Sequence, residues 1–210
     1  VRRGERHWLA YPNLVNVQNG MVDLDVGQLI PHDPRYCSRV QMPVSFDMEA
    51  DYERFQKFCT EIFPETDESG AWGPAGGKKT MLLQEFMGYC LMNTCKYEKC
   101  LFMYGQGANG KSTVLKVLER MLGEGHCGAM NIDDLANRFN IPYLQNKLIN
   151  VSAEAIAKEQ SAVQNLKRII SGERVEGEWK HGERVNFAPR TKFLFAINLP
   201  PNIQDKSHGF

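Results

Sequence analysis

Residues 105–112 read GQGANGKS and match the pattern G-x-x-x-x-G-K-[ST] at every fixed position. The chemistry this pattern serves is the cradling of a phosphate chain. Along Gly105, Gln106, Gly107, Ala108, Asn109 and Gly110 the glycines let the backbone curl, so that successive N–H groups face phosphate oxygens. The start of the next helix adds its partial positive charge. Lys111 then reaches the β- and γ-phosphates, the Ser112 hydroxyl is a ligand for Mg2+, and Thr113 completes the candidate nucleotide-binding set. The flanks suit the motif, because an apolar CLFMY precedes it and an apolar-periodic STVLKVLERMLG follows. A Gly-rich connector that merely happened to contain Lys-Ser would not be bracketed in this way. A guanine-reading N-K-x-D string is missing; the nearest stretch, Asn146-Lys147-Leu148-Ile149, has no Asp. The expected ligand is ATP, with Mg2+, rather than GTP.

Two more polar residues stand where apolar strands should end. KLINVSAE delivers Glu154 to the carboxyl end of a strand, where ligands of open α/β sheets bind. A carboxylate there can hold the Mg2+ shell through water and orient an attacking water. Many such motifs carry two adjacent acids, whereas Ser152 and Ala153 precede a single Glu154 here. A plain solvated helix start is the competing account of that residue. KFLFAIN (192–198) ends in Asn198, just before Pro200 and Pro201. An amide emerging at that point can position water against a γ-phosphate, although an Asn turn before prolines is also common. The order of elements gives these residues weight: phosphate loop, strand with Glu154, strand with Asn198. Lys111, Glu154 and Asn198 are the catalytic candidates, and Ser112 and Glu154 the metal candidates.

The elements that must position these groups fall into two regions that divide near residue 96. Residues 1–45 read as strands and turns, with Asn19-Gly20 between apolar alternations as a hairpin signal in LVNVQNGMVDL. A second turn is expected near Gly27, with stops at Pro31 and Pro34. Residues 46–96 read as helical. ADYERFQKFCTEIF (50–63) puts Phe55, Phe58, Cys59, Ile62 and Phe63 on one helix face, and a second helix is expected over 80–94. Between them PETDESGAWGPAGGKK (64–79) has the composition of a linker. From residue 97 to 210 the pattern becomes strand, loop and helix, which predicts an α/β core with a parallel sheet. Strands are expected at 100–104, 147–151 and 192–198, helices at 112–123 and 164–171, and a hairpin over 174–187.

Composition bounds the partners. Of 210 residues, 42% are hydrophobic and 24% charged, which excludes disorder as the main state. No apolar run approaches the ~20 residues needed to cross a bilayer, and VRRGERHW at the start has no apolar signal region, so no membrane partner is expected. Lys and Arg number 25 and so do Asp and Glu, so any nucleic-acid contact must come from a local patch. Cys90, Cys95 and Cys100 recur every five residues, which is not zinc-ligand spacing. Reduced thiols in a cytoplasm are the expectation for these and for Cys37, Cys59 and Cys127. The first residue is Val1 rather than Met, which fits a piece of something longer.

The order of phosphate loop, Glu154 strand, hairpin and Asn198 strand resembles the superfamily III helicases. More closely it resembles the helicase part of phage and plasmid primase–helicases, of the poxvirus and satellite-phage types. LVNVQNGMVDLDVGQLIPHDP and the two following helices, with LLQEFMGYCL, resemble that family's N-terminal accessory domain. GQGANGKST resembles its Walker A motif, LINVSAE its Walker B, and FLFAINLPPN its sensor motif. The resemblance implies a P-loop NTPase core, AAA+-like, over 97–210, preceded by a small mixed α+β accessory domain over 1–96. It further implies an ATP-driven homo-oligomeric ring, expected as a hexamer, that unwinds DNA during replication. A primase domain or protein would be a further partner, and a bacterial or phage-infected cell the setting.

In this superfamily the segment between Walker B and sensor forms a hairpin whose basic tip grips one strand in the ring channel. Lys180 and His181 match a Lys-His tip, with Gly182 allowing the turn. Lys180 would supply a phosphate contact and His181 a donor or a stacking plane. Glu176, Glu178 and Glu183 sit close by, so a solvated charged hairpin is the competing account. The family also carries an arginine finger after the sensor, worth ~10³–10⁵ in turnover. No Arg follows Arg190 here, so the chain by itself is expected to bind ATP and hydrolyse it poorly. Two other readings compete: a non-catalytic, nucleotide-dependent assembly module or remnant phage gene product, and a small-molecule phosphotransferase. The second would need a lid, for which the Gly-rich 69–77 is the candidate.

Overall fold

The computed structural model describes residues 11–63, 77–200 and 202–203. The segment VRRGERHW, all but the end of the linker 64–79, most of the stretch 69–77 and the tail after 203 lie outside the described residues.

The chain opens with an antiparallel meander of β1 (Leu14–Val17), β2 (Gly20–Asp23) and β3 (Gln28–Ile30). Its turn falls one residue earlier than the sequence suggests, because Val17 pairs with Gly20 and leaves Gln18 and Asn19 as the turn. Asn19 is engaged elsewhere: its amide donates to the Phe46 carbonyl and accepts from the Phe46 N–H, both at 2.9 Å. Gly20 is required for space, since a Cβ there would lie 2.6 Å from the Ile30 carbonyl oxygen. Helices α1 (Glu53–Ile62) and α2 (Lys78–Leu91) follow. The expected apolar face of α1 is observed, with Cys59 buried and Phe55, Phe58, Ile62 and Phe63 packed around the same cluster. Helix α2 stops short of Thr94 because Met92 turns extended, with its N–H on the Tyr89 carbonyl.

Beyond this lies a four-stranded, all-parallel sheet. Its members are β4 (Leu101–Tyr104), β5 (Cys127–Gly128), β6 (Ile149–Ser152) and β10 (Lys192–Ile197). They stand side by side in the order β4-β10-β6-β5. Helix α3 (Lys111–Leu122) leads from β4 towards β5. Between β6 and β10 come β7 (Ile156–Ala157), helix α4 (Gln160–Ile170) and the hairpin β8 (Val175–Glu178) and β9 (Arg184–Phe187). Helix α4 begins one turn ahead of the expected segment, since Ala162 and Val163 already bury against the sheet. A two-residue strand β11 (Asn202–Ile203) pairs in parallel with β7.

Strand alternation distributes the core over the two sheet faces. On β10, Phe193, Phe195 and Ile197 join Leu135, Ile141, Leu166 and Ile169 on the α4 side. Leu194 and Ala196 face the other way, towards Val114, Leu118 and Leu122 of α3. That second cluster does not stop at residue 96: it also holds Val15, Val22, Met42, Cys59, Leu83, Phe86 and Cys90. All six cysteines are free thiols. Among the described residues no helix is long and apolar enough to cross a membrane.

Candidate functional site

The three strands that carry candidate residues lie next to one another. The loop 105–110 leaves β4, Asn198 follows β10, and Ala153 and Glu154 follow β6, so all emerge at the carboxyl edge of adjacent parallel strands. A cleft of about 560 Å³ opens there. It is lined by Gly107, Ala108, Asn109, Gly110, Lys111, Ser112 and Thr113 from the loop and helix, and by Val151, Ala153, Ala196 and Asn198 from the strands. Eight of the expected residues are therefore brought together, counting Asn198 with the seven of the loop and helix. Gly105 and Gln106 stand at the root of the loop rather than on the cleft wall, where the Gly105 N–H donates to the Ile197 carbonyl at 3.2 Å. Glu154 is exposed at the end of β6, and Ala153 occupies the wall in its place. Strand alternation accounts for this, since Val151 and Ala153 share the cleft side while Ser152 turns away. The Ser152 hydroxyl donates to the Glu154 carbonyl at 2.7 Å and pins that turn.

The loop has a definite resting geometry. Gly110 caps α3 with φ at +83°, and a Cβ there would lie 2.6 Å from Ile62 Cγ2. Only glycine fits both the backbone and the space. The Lys111 ammonium folds back onto its own loop, donating to the Gly105 carbonyl, to the Gln106 carbonyl at 3.2 Å and to Asn109 Oδ1 at 3.0 Å. All three of these partners are neutral oxygens. Ser112 is exposed on the first turn of α3 and lines the cleft, whereas Glu154, the other residue expected to hold a cation, does not.

A second, apolar recess of about 310 Å³ adjoins the loop and shares Asn109 and Lys111 with the cleft. Ile62, Phe63, Leu82, Leu83 and the strand 101–104 form its walls. Sequence reasoning missed these residues. Their one signal is membership of the apolar helix faces, which says that they are buried but not against what.

Lys180 and His181 lie exposed at the tip of the β8–β9 hairpin. The turn is closed by the Gly182 N–H on the Trp179 carbonyl at 2.8 Å and the Trp179 N–H on the Glu183 carbonyl at 3.2 Å. The residue that takes the left-handed backbone is His181, with φ at +60°, and not Gly182. Gly182 is needed for room instead, since its Cβ would come within 2.9 Å of Trp179 Cβ. Glu178 is engaged by Arg138 at 3.3 Å and Arg184 at 4.0 Å, and Glu176 accepts from Asn186 at 3.3 Å. Among the described residues no carboxylate pairs with Lys180.

A family model described as a family of unknown function, DUF5906, matches residues 103–208, and one described as D5 N terminal like matches residues 2–64. The first spans half of the chain, and the protein belongs to that family. No curated protein matches it. Two solved apo structures of the NrS-1 C-terminal region (305–718) are similar in fold. One aligns over 80% of this chain at 19% identity and TM-score 0.52, the other over 80% at 20% and 0.51. The chain spans 37% and 38% of their lengths.

Proposed function

We propose that this chain is the ATP-binding helicase module of a phage- or plasmid-type replication protein. The observation that carries the reading is the convergence of the 105–113 loop and helix start with Asn198 on one cleft, at the carboxyl edge of a parallel sheet. The triphosphate lies along the loop N–H groups and the start of α3, with Lys111 released from its loop carbonyls onto the β- and γ-phosphates. The Ser112 hydroxyl and, from outside the present cleft wall, Glu154 hold the Mg2+ that accompanies it. Asn198 positions the attacking water, and the apolar recess beside Asn109 receives the base. Lys180 and His181 contact the backbone of one DNA strand, in a homo-oligomeric ring that we expect to be a hexamer. The D5 N terminal like match and the fold likeness support the replication-protein part of this reading.

The position of Glu154 favours one alternative, a module that binds nucleotide to assemble and does not turn it over. One experiment decides. Magnesium-ATP binding is measured on the chain, and single-strand-stimulated phosphate release on a C-terminally extended chain, each beside Lys111→Ala. Binding that falls at least about tenfold in Lys111→Ala, with DNA-stimulated release, supports the motor. Lys111-dependent binding without any response to DNA supports the assembly module, and ATP binding that ignores Lys111→Ala overturns both.

A further inference from the structure

The hairpin and the turn it is seated on each carry a large aromatic side chain that the core does not use. Trp179, one residue before the tip, is 36% exposed, and Tyr143, on the 3-10 turn Ile141–Leu144, is 59% exposed. Their rings meet edge to face, with centroids 5.2 Å apart and planes at 77°. Ile141, Pro142 and Leu144 of the same turn are buried, so Tyr143 is the one residue of that turn left on the surface. A T-shaped pair spends one ring face and one edge, and leaves further ring face for a flat partner.

The pair is held from both sides. A Cβ on Gly177 would lie 2.8 Å from Pro142 Cδ and 2.9 Å from Ile141 Cβ, so β8 is pressed directly onto the turn that carries Tyr143. The Glu178 N–H donates to the Arg138 carbonyl at 3.1 Å, and the Glu178 carboxylate holds the Arg138 guanidinium. Trp179 closes the tip through both its backbone groups. Lys180 follows Trp179 at the tip, and Arg138 and Arg184, with side chains 63% and 86% exposed, both pair with Glu178, the residue before it. An aromatic surface held in place from both sides, with the Lys180 ammonium, unpaired among the described residues, on the next residue, matches a ligand that is flat, apolar on its faces and strung on phosphates.

We propose that Tyr143 and Trp179 form a stacking platform for an unpaired nucleobase, beside the Lys180 contact to the strand's phosphates. The proposal rests on the reading of the hairpin as a strand grip and adds what the grip reads. In a duplex the base faces are covered by neighbouring bases, so the platform takes single-stranded nucleic acid. Every base has a π-face, so the contact is tolerant of sequence, as a moving grip requires.

The test compares a thymidine oligonucleotide with an abasic sugar-phosphate strand of the same length. The chain has three tryptophans, and replacing two of them, Trp8→Phe and Trp72→Phe, leaves Trp179 as the sole reporter. Its emission is expected to be quenched by the thymidine strand and not by the abasic one. Trp179→Ala and Tyr143→Ala are expected to lower affinity for the thymidine strand about tenfold, a loss that vanishes on the abasic strand. Trp179→Phe should recover most of it, whereas Lys180→Ala should weaken both strands. Equal affinity for the two strands, with Lys180→Ala still weakening both and no quenching, overturns the platform and leaves the strand grip standing. No binding to either strand overturns the grip and the platform together.

Discussion

Lys192 is a lysine placed almost entirely out of water, 1% exposed at the start of β10. Strand alternation turns it to the same side as Leu194 and Ala196, towards the helical part of the N-terminal half. There its ammonium donates to the Met92 carbonyl and, at 3.0 Å, to the Arg190 carbonyl, and lies 4.9 Å over the Tyr89 ring. Burial pulls its pKa down to about 8, against a smaller opposing pull from the Cys95 and Cys90 thiols. An unfolded chain holds that proton up to about pH 10.5, so between pH 8 and 10.5 it binds more protons than the fold does. Stability from this group therefore rises with pH across the window. The buried Cys90 thiol, pushed up to about 12 by desolvation, acts the other way, since the unfolded thiol ionises near pH 9. Comparing the chain with Lys192→Met isolates the lysine. Urea unfolding should show the difference moving in favour of the unsubstituted chain between pH 8 and 10, by roughly 2–3 kcal/mol. A difference that is flat with pH would mean that the ammonium is well solvated.

At the scale of elements, the β8–β9 hairpin is seated on the turn 141–144 through Gly177, and this contact can be tested against a glycine of the opposite kind. A Cβ on Gly177 meets three atoms at 3.0 Å or closer, whereas one on Gly107 meets nothing within 4 Å. Gly177→Ala should cost about 1–3 kcal/mol by overpacking, which for a chain of this size lowers Tm by roughly 2–10 °C. Gly107→Ala should leave Tm within about 1–2 °C. Equal shifts in thermal unfolding would mean that the hairpin is not anchored there. The sequence announced this hairpin because polar and apolar residues alternate through RVEGEWKHGERVNF, as it announced α1 and α3 by helical periodicity. It did not announce β5, β7 or β11, because two residues carry no period and owe their pairing to a strand far away in the chain. The 3-10 turns between α3 and β6 were silent for a related reason, since their buried residues follow neither the period of a helix nor that of a strand. Asn19-Gly20 and Gly182 marked two hairpins that the structure holds, the first turn one residue earlier, but Gly20 and Gly182 serve close approach and the Asn19 side chain is spent on Phe46. The strand, loop and helix around GQGANGKS were legible because their spacing is local. The recess formed by Ile62, Phe63 and Leu82 was not, because it arises only where α1 and α2 come against β4.

For the molecule as a whole, the division near residue 96 marks a change in sequence pattern, while the packing runs across it. Helix α1 touches the loop 105–110 itself, with Ile62 and the Phe58 ring against Gly110. The sheet face bearing α3 shares one core with the meander, α1 and α2. Cutting the chain at this point would take Val15, Val22, Met42, Leu83 and Phe86, all 6% exposed or less, away from the cluster that also holds Val114, Leu118, Leu122, Ile149 and Leu194. Each such side chain contributes about 1.5–3 kcal/mol when buried, and together they rival the ~5–15 kcal/mol that stabilises a typical domain. The pKa of Lys192 would return towards that of a solvated amine, because Met92 and Tyr89 lie on the removed side. Residues 97–210 alone should therefore fail to unfold cooperatively, bind a hydrophobic dye and lose ATP binding, whereas the 210-residue chain unfolds in a single transition that ATP moves upward. A mixture of 97–210 with a separately expressed 1–96 should regain part of the ATP response, because the missing surface is then supplied in trans. If 97–210 instead unfolds cooperatively and binds ATP as the whole chain does, the N-terminal half is an appendage to the site. In that case the contact of Ile62 with Gly110 contributes nothing to the loop's shape.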